Sequence, residues 1–224
     1  KIILVYVIIG NHDRINNNIF LTEEHPFAGL KNNKNIIIVD KVLKKDNVIF
    51  VPYVPNGRFE EALATVDFDQ NKTEIIFAHQ EFRGCKMCAL ISESGDIWPE
   101  NFPTVFSGHI HDFQTPQKNI LYTGTPFQHG FGDSDDKFLV LLNFTDRKIW
   151  DIEKIYIAVI KQKTISVKIC DLEDFKIPEN YIIKLVIIGD NATCNLILSK
   201  KSVQDKLKKY NIQYRTKNPD IKLK

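Results

Sequence analysis

Two imidazoles two residues apart, His109 and His111, follow an apolar run that ends at Gly108. Side chains alternate in extended backbone, so both rings leave the same face. Two nitrogen donors on one edge can bind a metal ion. Taken alone, a His-x-His reads more readily as two hydrogen-bonded histidines at a strand end. Two further stretches change that reading. Apolar residues 2–9 end in Gly10-Asn11-His12-Asp13, and the apolar run 75–78 delivers His79. Three buried strands would then release nitrogen or oxygen donors where they end, which is where open α/β sheets gather their ligands.

Imidazole suits zinc, iron and manganese, and an amide oxygen such as that of Asn11 suits harder ions. Asn11, His79 and His109 can hold one divalent ion, and His111 on the same edge can hold a second. Two ions about 3.5–4 Å apart clamp a phosphoryl group, lower the pKa of a bound water and steady a leaving oxygen. That chemistry is phosphate-ester hydrolysis. His12, next to a ligand without being one, would face the leaving group as a general acid or cationic stabiliser.

The elements that must position these groups are legible as patterns. Residues 1–9 read as a strand covered on both faces, and residues 36–39, 48–54 and 74–78 as further strands. Residues 58–66 read as a helix, with Phe59, Ala62, Leu63 and Val66 at helical spacing. Residues 16–33 are polar and broken by Pro26 and Gly29. The connection from His79 to the His-x-His is long and rich in loop residues, as functional connections often are. Strands at 119–122, 138–144 and 148–157 follow without helices, the last two as a hairpin turning at Thr145-Asp146-Arg147. They predict an antiparallel second layer. From about Ala158 the pattern changes to strands at 164–169 and 181–188 and a charged helix at 200–210. The expected organisation is an α/β core over residues 1–157 and a small α/β accessory domain over 158–224.

The chain has 224 residues and a formal net charge of +2, so overall electrostatics select no partner. No apolar run approaches the roughly 20 residues that cross a bilayer, which argues against membrane insertion. Four cysteines are too sparse for a disulfide scaffold, and a reduced cytoplasmic setting is expected. The single Cys85-Lys-Met-Cys88 lacks a second pair at zinc-finger spacing and reads as structural. Three Asn-x-Thr sequons, at Asn71, Asn143 and Asn191, are short enough to arise by chance. The C-terminal end collects Lys200, Lys201, Lys206, Lys208, Lys209, Arg215, Lys217, Lys222 and Lys224, a solvated face or a nucleic-acid contact. Lys1 lies almost inside a strand and no Met precedes it, so a fragment of a longer protein is expected.

Gly10-Asn11-His12-Asp13, His79 and Gly108-His109-Ile110-His111 resemble the last three motifs of the calcineurin-like metallophosphoesterase superfamily, in order, over roughly residues 2–145. The resemblance implies a layered β-sandwich flanked by helices and two divalent ions, manganese first, with zinc, iron or magnesium as alternatives. It also implies Asn11, His79 and His109 on one ion, His111 on the other, and His12 assisting catalysis. Tyr122-Thr-Gly-Thr-Pro126 through Phe131-Gly-Asp133 is similar to the segment after the last motif in SbcD-like DNA repair exonucleases, and the accessory region to their capping domain. This implies a DNA substrate and an SbcC-like ATPase partner with a coiled coil, and is compatible with a homodimer. The chain departs from the pattern in one respect: Asp-x-His and Gly-Asp-x-x-(Asp/His), which open the family's motif series, are absent from residues 1–9. Gly189-Asp190 has no matching histidine. The chain by itself is therefore expected to hydrolyse poorly. Two other readings compete with the nuclease: a phosphatase or phosphodiesterase acting on small molecules or phosphoproteins, and a non-catalytic scaffold module.

Overall fold

The structure is a computed structural model that describes residues 3–87, 89–145 and 149–219. Lys1, Cys88, the turn residues Asp146 and Arg147, and the terminal Lys222 and Lys224 lie outside the described residues. The chain divides into two compact units, one of Lys1–Thr125 with Phe138–Tyr156, the other of Pro126–Lys137 with Ile157–Lys224.

In the first unit, strand β1 (Val5–Ile8) pairs in parallel with β2 (Ile36–Val39). The polar stretch between them contains a 3-10 turn, Pro26–Asn32, opened by the proline. Next come β3 (Leu43–Lys45), β4 (Val48–Val51), helix α1 (Phe59–Leu63), β5 (Ile75–Ala78), the short hairpin β6 (Lys86–Met87) and β7 (Leu90–Ile91), β8 (Thr104–Ser107), β9 (Gln114–Gln117) and β10 (Ile120–Tyr122). Six of them form one mixed sheet in the order β3-β4-β5-β8-β10-β9. Its four middle strands are parallel and its two edges antiparallel. Pro116 sits on edge strand β9, where a missing N–H costs no ladder bond. The β4 strand ends before Pro52 for the same reason, short of the expected residue 54, and α1 occupies only the middle of the expected 58–66.

Alternation along the parallel strands divides their side chains between two faces. One face sends Ile49, Val51, Ile76, Ala78, Val105, Ile120 and Tyr122 into a core closed by Phe59, Ala62 and Leu63 of α1, with Phe82 and Trp98. Each of these large apolar side chains contributes about 1.5–3 kcal/mol by leaving water. The other face carries Phe50, Phe77 and Phe106 in register across β4, β5 and β8, with Tyr6 of β1 stacked on Phe50 at 4.3 Å. On this face Ile75, Phe106 and Leu121 also pack with Leu142 of the antiparallel hairpin β11 (Leu139–Thr145) and β12 (Ile149–Ile155).

The second unit is α/β. Strands β13 (Lys161–Lys168), β14 (Tyr181–Ile188) and β15 (Gln213–Lys217) form a parallel sheet, and helices α2 (Asn191–Leu198) and α3 (Lys201–Lys209) cross over between the last two. Val203 and Leu207, one helical turn apart, meet Val167, Ile183, Leu185 and Ile187 of the sheet. Two members of the basic C-terminal set have structural partners here. Lys200 pairs with Glu173 at 2.9 Å, and Lys206 Nζ donates to the carbonyls of Leu172 and Glu173. Pro126–Lys137, read from sequence with the core, is tied to this unit by bonds between Gln128 and Gln162. Among the described residues no helix is long and apolar enough to cross a membrane.

Candidate metal centre

The site is built where β1, β5 and β8 end. Ile9 continues β1 by donating its N–H to the Val39 carbonyl, and its own carbonyl accepts from the Tyr53 N–H at 2.8 Å. This holds the β1 terminus beside the end of β4. Gly10 follows, and its N–H donates to Asp13 Oδ2 at 2.9 Å, closing a 3-10 turn over Asn11–Asp13. A Cβ on Gly10 would meet the His79 ring at 3.0 Å, so any larger residue here would press on that ring.

That approach brings Asn11 Oδ1 to 3.1 Å from His79 Nε2, across 68 residues of chain. The ring centroids of His79 and His109 are 5.2 Å apart, edge to face. Asn11, His79 and His109 are thus in mutual contact through His79. His12 and His111 are exposed, but both lie close enough for their charges to act on His79 and His109. Burial, reinforced by the neighbouring imidazoles of His109, His12 and His111, lowers the pKa of His79 to about 3. Burial also lowers that of His109, against the opposing pull of Glu81. Both rings are therefore neutral at pH 7, the form in which imidazole coordinates a metal.

A buried polar network fixes the strand ends that carry the two rings. Ser107 Oγ accepts from the Gln80 N–H at 2.9 Å and donates to the Gln80 carbonyl at 2.8 Å. The Gln80 side chain donates to Asp96 and accepts from the Val54 N–H, while Asp96 accepts from the Phe59 N–H. Tyr122 accepts from the Phe82 N–H at 2.7 Å and donates to the Gln80 carbonyl. Gly124, at φ +67, fits against the backbone of residues 111–113, and the Thr125 N–H donates to the His111 carbonyl.

Three neighbours of the site carry no motif and were missed from sequence. Tyr53 stacks on His109 at 6.0 Å, and the Arg14 guanidinium lies over the Tyr53 ring while donating to the carbonyls of Tyr53 and Ile19. Glu81 Oε2 is 3.9 Å from His109 Nε2. Its position two residues after His79, which in extended backbone would put both on one face, was the available signal. Beside His12 opens a cavity of about 450 Å³, lined also by Arg14, Glu24 and His25. His25 has both nitrogens engaged, Nδ1 accepting from the Phe27 N–H and Nε2 facing Asp40 at 3.1 Å, and serves as a wall.

The donor set can be tested against a divalent ion. His79 and Asn11 face each other with a neutral nitrogen and an amide oxygen, and buried His109 Nδ1 has no hydrogen-bond partner. A buried polar atom without a partner calls for an explanation, and an ion is one that would satisfy it. Among the described residues no group of three His, Cys, Asp or Glu side chains could hold an ion unaided. Two imidazoles and an amide oxygen could supply at most part of a shell.

Fold and site together define an α/β protein whose polar centre lies at the carboxyl ends of parallel strands. No family model matches the chain. It is 45% identical over 200 residues to a protein of Invertebrate iridescent virus 6 named "Putative phosphoesterase 244L", covering 84% of this chain and 71% of that one. It is 41% identical over 175 residues to "Putative phosphoesterase 078R" of Invertebrate iridescent virus 3, covering 75% of this chain and 49% of the relative. The chain belongs to this phosphoesterase family.

Proposed function

We propose that this chain carries the hydrolytic site of a metal-dependent phosphoesterase that cleaves nucleic-acid phosphodiesters, an SbcD-type nuclease. The observation that carries the reading is the convergence of Asn11, His79 and His109 from three strand ends. Divalent ions, when bound, supply charge for a phosphoryl oxygen and activate water. Asn11, His79 and His109 would hold one of them and His111 would belong to a second. The same reading takes the six-stranded sheet and its covering hairpin as the layered sandwich of the calcineurin-like superfamily.

The chain's own residues do the rest. His12 stands on the 3-10 turn at the mouth of the cavity, where a substrate's leaving oxygen would lie, and gives it a proton. The Arg14 and Tyr53 layers hold the His109 ring plane. In the second unit, one face of the sheet carries Lys168, Lys184, Arg215 and Lys217, with Phe131 of the Pro126–Lys137 segment against Lys184, and these cations support a polyanionic substrate. An ATPase partner of the SbcC kind belongs to the same proposal.

The test uses the protein expressed from its complete reading frame. His12→Ala should lower turnover by roughly 10²–10⁴-fold with bound metal retained. In His109→Ala, turnover and metal content should fall together. A nitrophenyl ester, whose leaving group needs little protonation, should partly rescue only His12→Ala. If metal analysis shows the two variants equally depleted, His12 is a ligand and the division of roles is wrong.

A further inference from the structure

We infer that Glu81 is a positioning residue that selects the tautomer of His109, keeping hydrogen on Nε2 and leaving the Nδ1 lone pair free to coordinate. This rests on the metal-site reading above and adds to it a residue no motif contains. Glu81 Oε2 lies 3.9 Å from His109 Nε2, and only 13% of the Glu81 side chain and 15% of the His109 side chain are exposed. The distance exceeds a hydrogen bond, so the carboxylate acts on the ring nitrogen it faces through its charge at short range. Where a carboxylate faces one ring nitrogen in a site shielded from water, the tautomer with hydrogen on that nitrogen is favoured.

The rest of the geometry leaves Glu81 free to act this way. Its other oxygen, Oε1, accepts from Ser92 Oγ at 2.5 Å and lies 3.4 Å from Ser94 Oγ, so the carboxylate is anchored at one end and directed at His109 with the other. Ser92 in turn accepts from the Gly95 N–H, fixing the anchor to its loop. The His109 ring is held between the Tyr53 face at 6.0 Å and the His79 edge at 5.2 Å, which limits rotation that would exchange its nitrogens. On the far side of the ring, buried Nδ1 has no protein partner. A hydrogen there would be an unsatisfied buried donor, and a lone pair there can take an ion. Carboxylates in this relation to a ligating imidazole orient it and raise its basicity, and their loss typically weakens metal binding by 10–100-fold.

The experiment labels the histidines of the chelator-treated chain with ¹⁵N and reads the His109 tautomer from long-range proton–nitrogen correlations. The wild type should show hydrogen on Nε2. Glu81→Gln, whose amide oxygen still accepts, should keep that pattern, and Glu81→Leu should shift His109 towards the Nδ1–H form. Titration with Mn(II) should then show near wild-type affinity for Glu81→Gln and a 10–100-fold loss for Glu81→Leu. Hydrogen on Nδ1 in the wild type, or an unchanged tautomer in Glu81→Leu, overturns the inference. So does an equal loss of Mn(II) affinity in Glu81→Gln and Glu81→Leu with the tautomer unchanged, which would make Glu81 itself a ligand. A wild type that binds no Mn(II) counts against the metal centre, while the tautomer measurement, made without metal, still decides the role of Glu81.

Discussion

Among the parallel strands that run into a glycine, β1 and β14 use their ends in opposite ways. At the end of β1, Gly10 approaches the His79 ring and the following turn presents Asn11 and His12 to a polar centre. At the end of β14, Gly189 packs against Ile169 and the sulfur of Cys194, and Asp190 is consumed as the N-cap of α2, accepting from the Thr193 N–H at 2.9 Å. The Gly189-Asp190 pair, which lacks the histidine a metal motif requires, is a helix cap. A strand end becomes a site when its neighbours are polar groups left partly unsatisfied. It becomes a scaffold when every donor and acceptor is matched locally.

The contrast can be strained first with acid. His79, with a pKa near 3 in the folded chain against an ordinary 6.5, is neutral in both states above pH 6.5. Below 6.5 the unfolded chain takes up a proton that the native state refuses, so stability falls as pH drops from 6.5 towards 3. The expected loss is about 1.4 kcal/mol per pH unit for one such group, and His109, shifted the same way, adds to it. Both tryptophans, Trp98 and Trp150, belong to the first unit, so urea melts of chelator-treated protein followed by tryptophan fluorescence report on it. A midpoint unchanged between pH 7 and pH 5 would refute the buried neutral histidine.

The next effect is on the network beneath the site. Tyr122→Phe removes an acceptor from the Phe82 N–H and a donor from the Gln80 carbonyl, both buried, and should cost the first unit about 1–3 kcal/mol in the same melts. A variant as stable as the wild type would mean that the residues after His79 are held by something else. The smallest effect belongs to the second strand end. Asp190→Ala should destabilise by about 1 kcal/mol through loss of a cap, seen as faster hydrogen exchange at the Thr193 amide, and should leave Mn(II) binding untouched. If Mn(II) binding falls with it, the two strand ends are not the different devices described.

Much of the candidate site was legible because its signals are local. An apolar run of strand length, a glycine and then nitrogen or oxygen donors can be read at residues 10–13, 79 and 108–111 without knowing the fold. The β13 and β14 strands and α3 were visible for the same reason, through periodicity. Helix α2 was not, because Asn191, Thr193 and Asn195 are weak helix formers and the element depends on its Asp190 cap and on burial of Cys194. Nor was β15, whose five residues are polar and exposed and are held by backbone pairing to β14.

What the sequence alone determined is the identity of the donors and the strand ends that release them, since side-chain chemistry and period are properties of neighbouring residues. Only the tertiary structure decided which of these groups meet, that Tyr53 and Glu81 stand against His109, that Ser107 and Tyr122 lock Gln80, and that Pro126–Lys137 belongs with the second unit. Those outcomes follow from the register of parallel strands joined through long crossovers. The Asn11–His79 contact spans 68 residues, and no local pattern encodes a distance closed by the packing of an entire sheet.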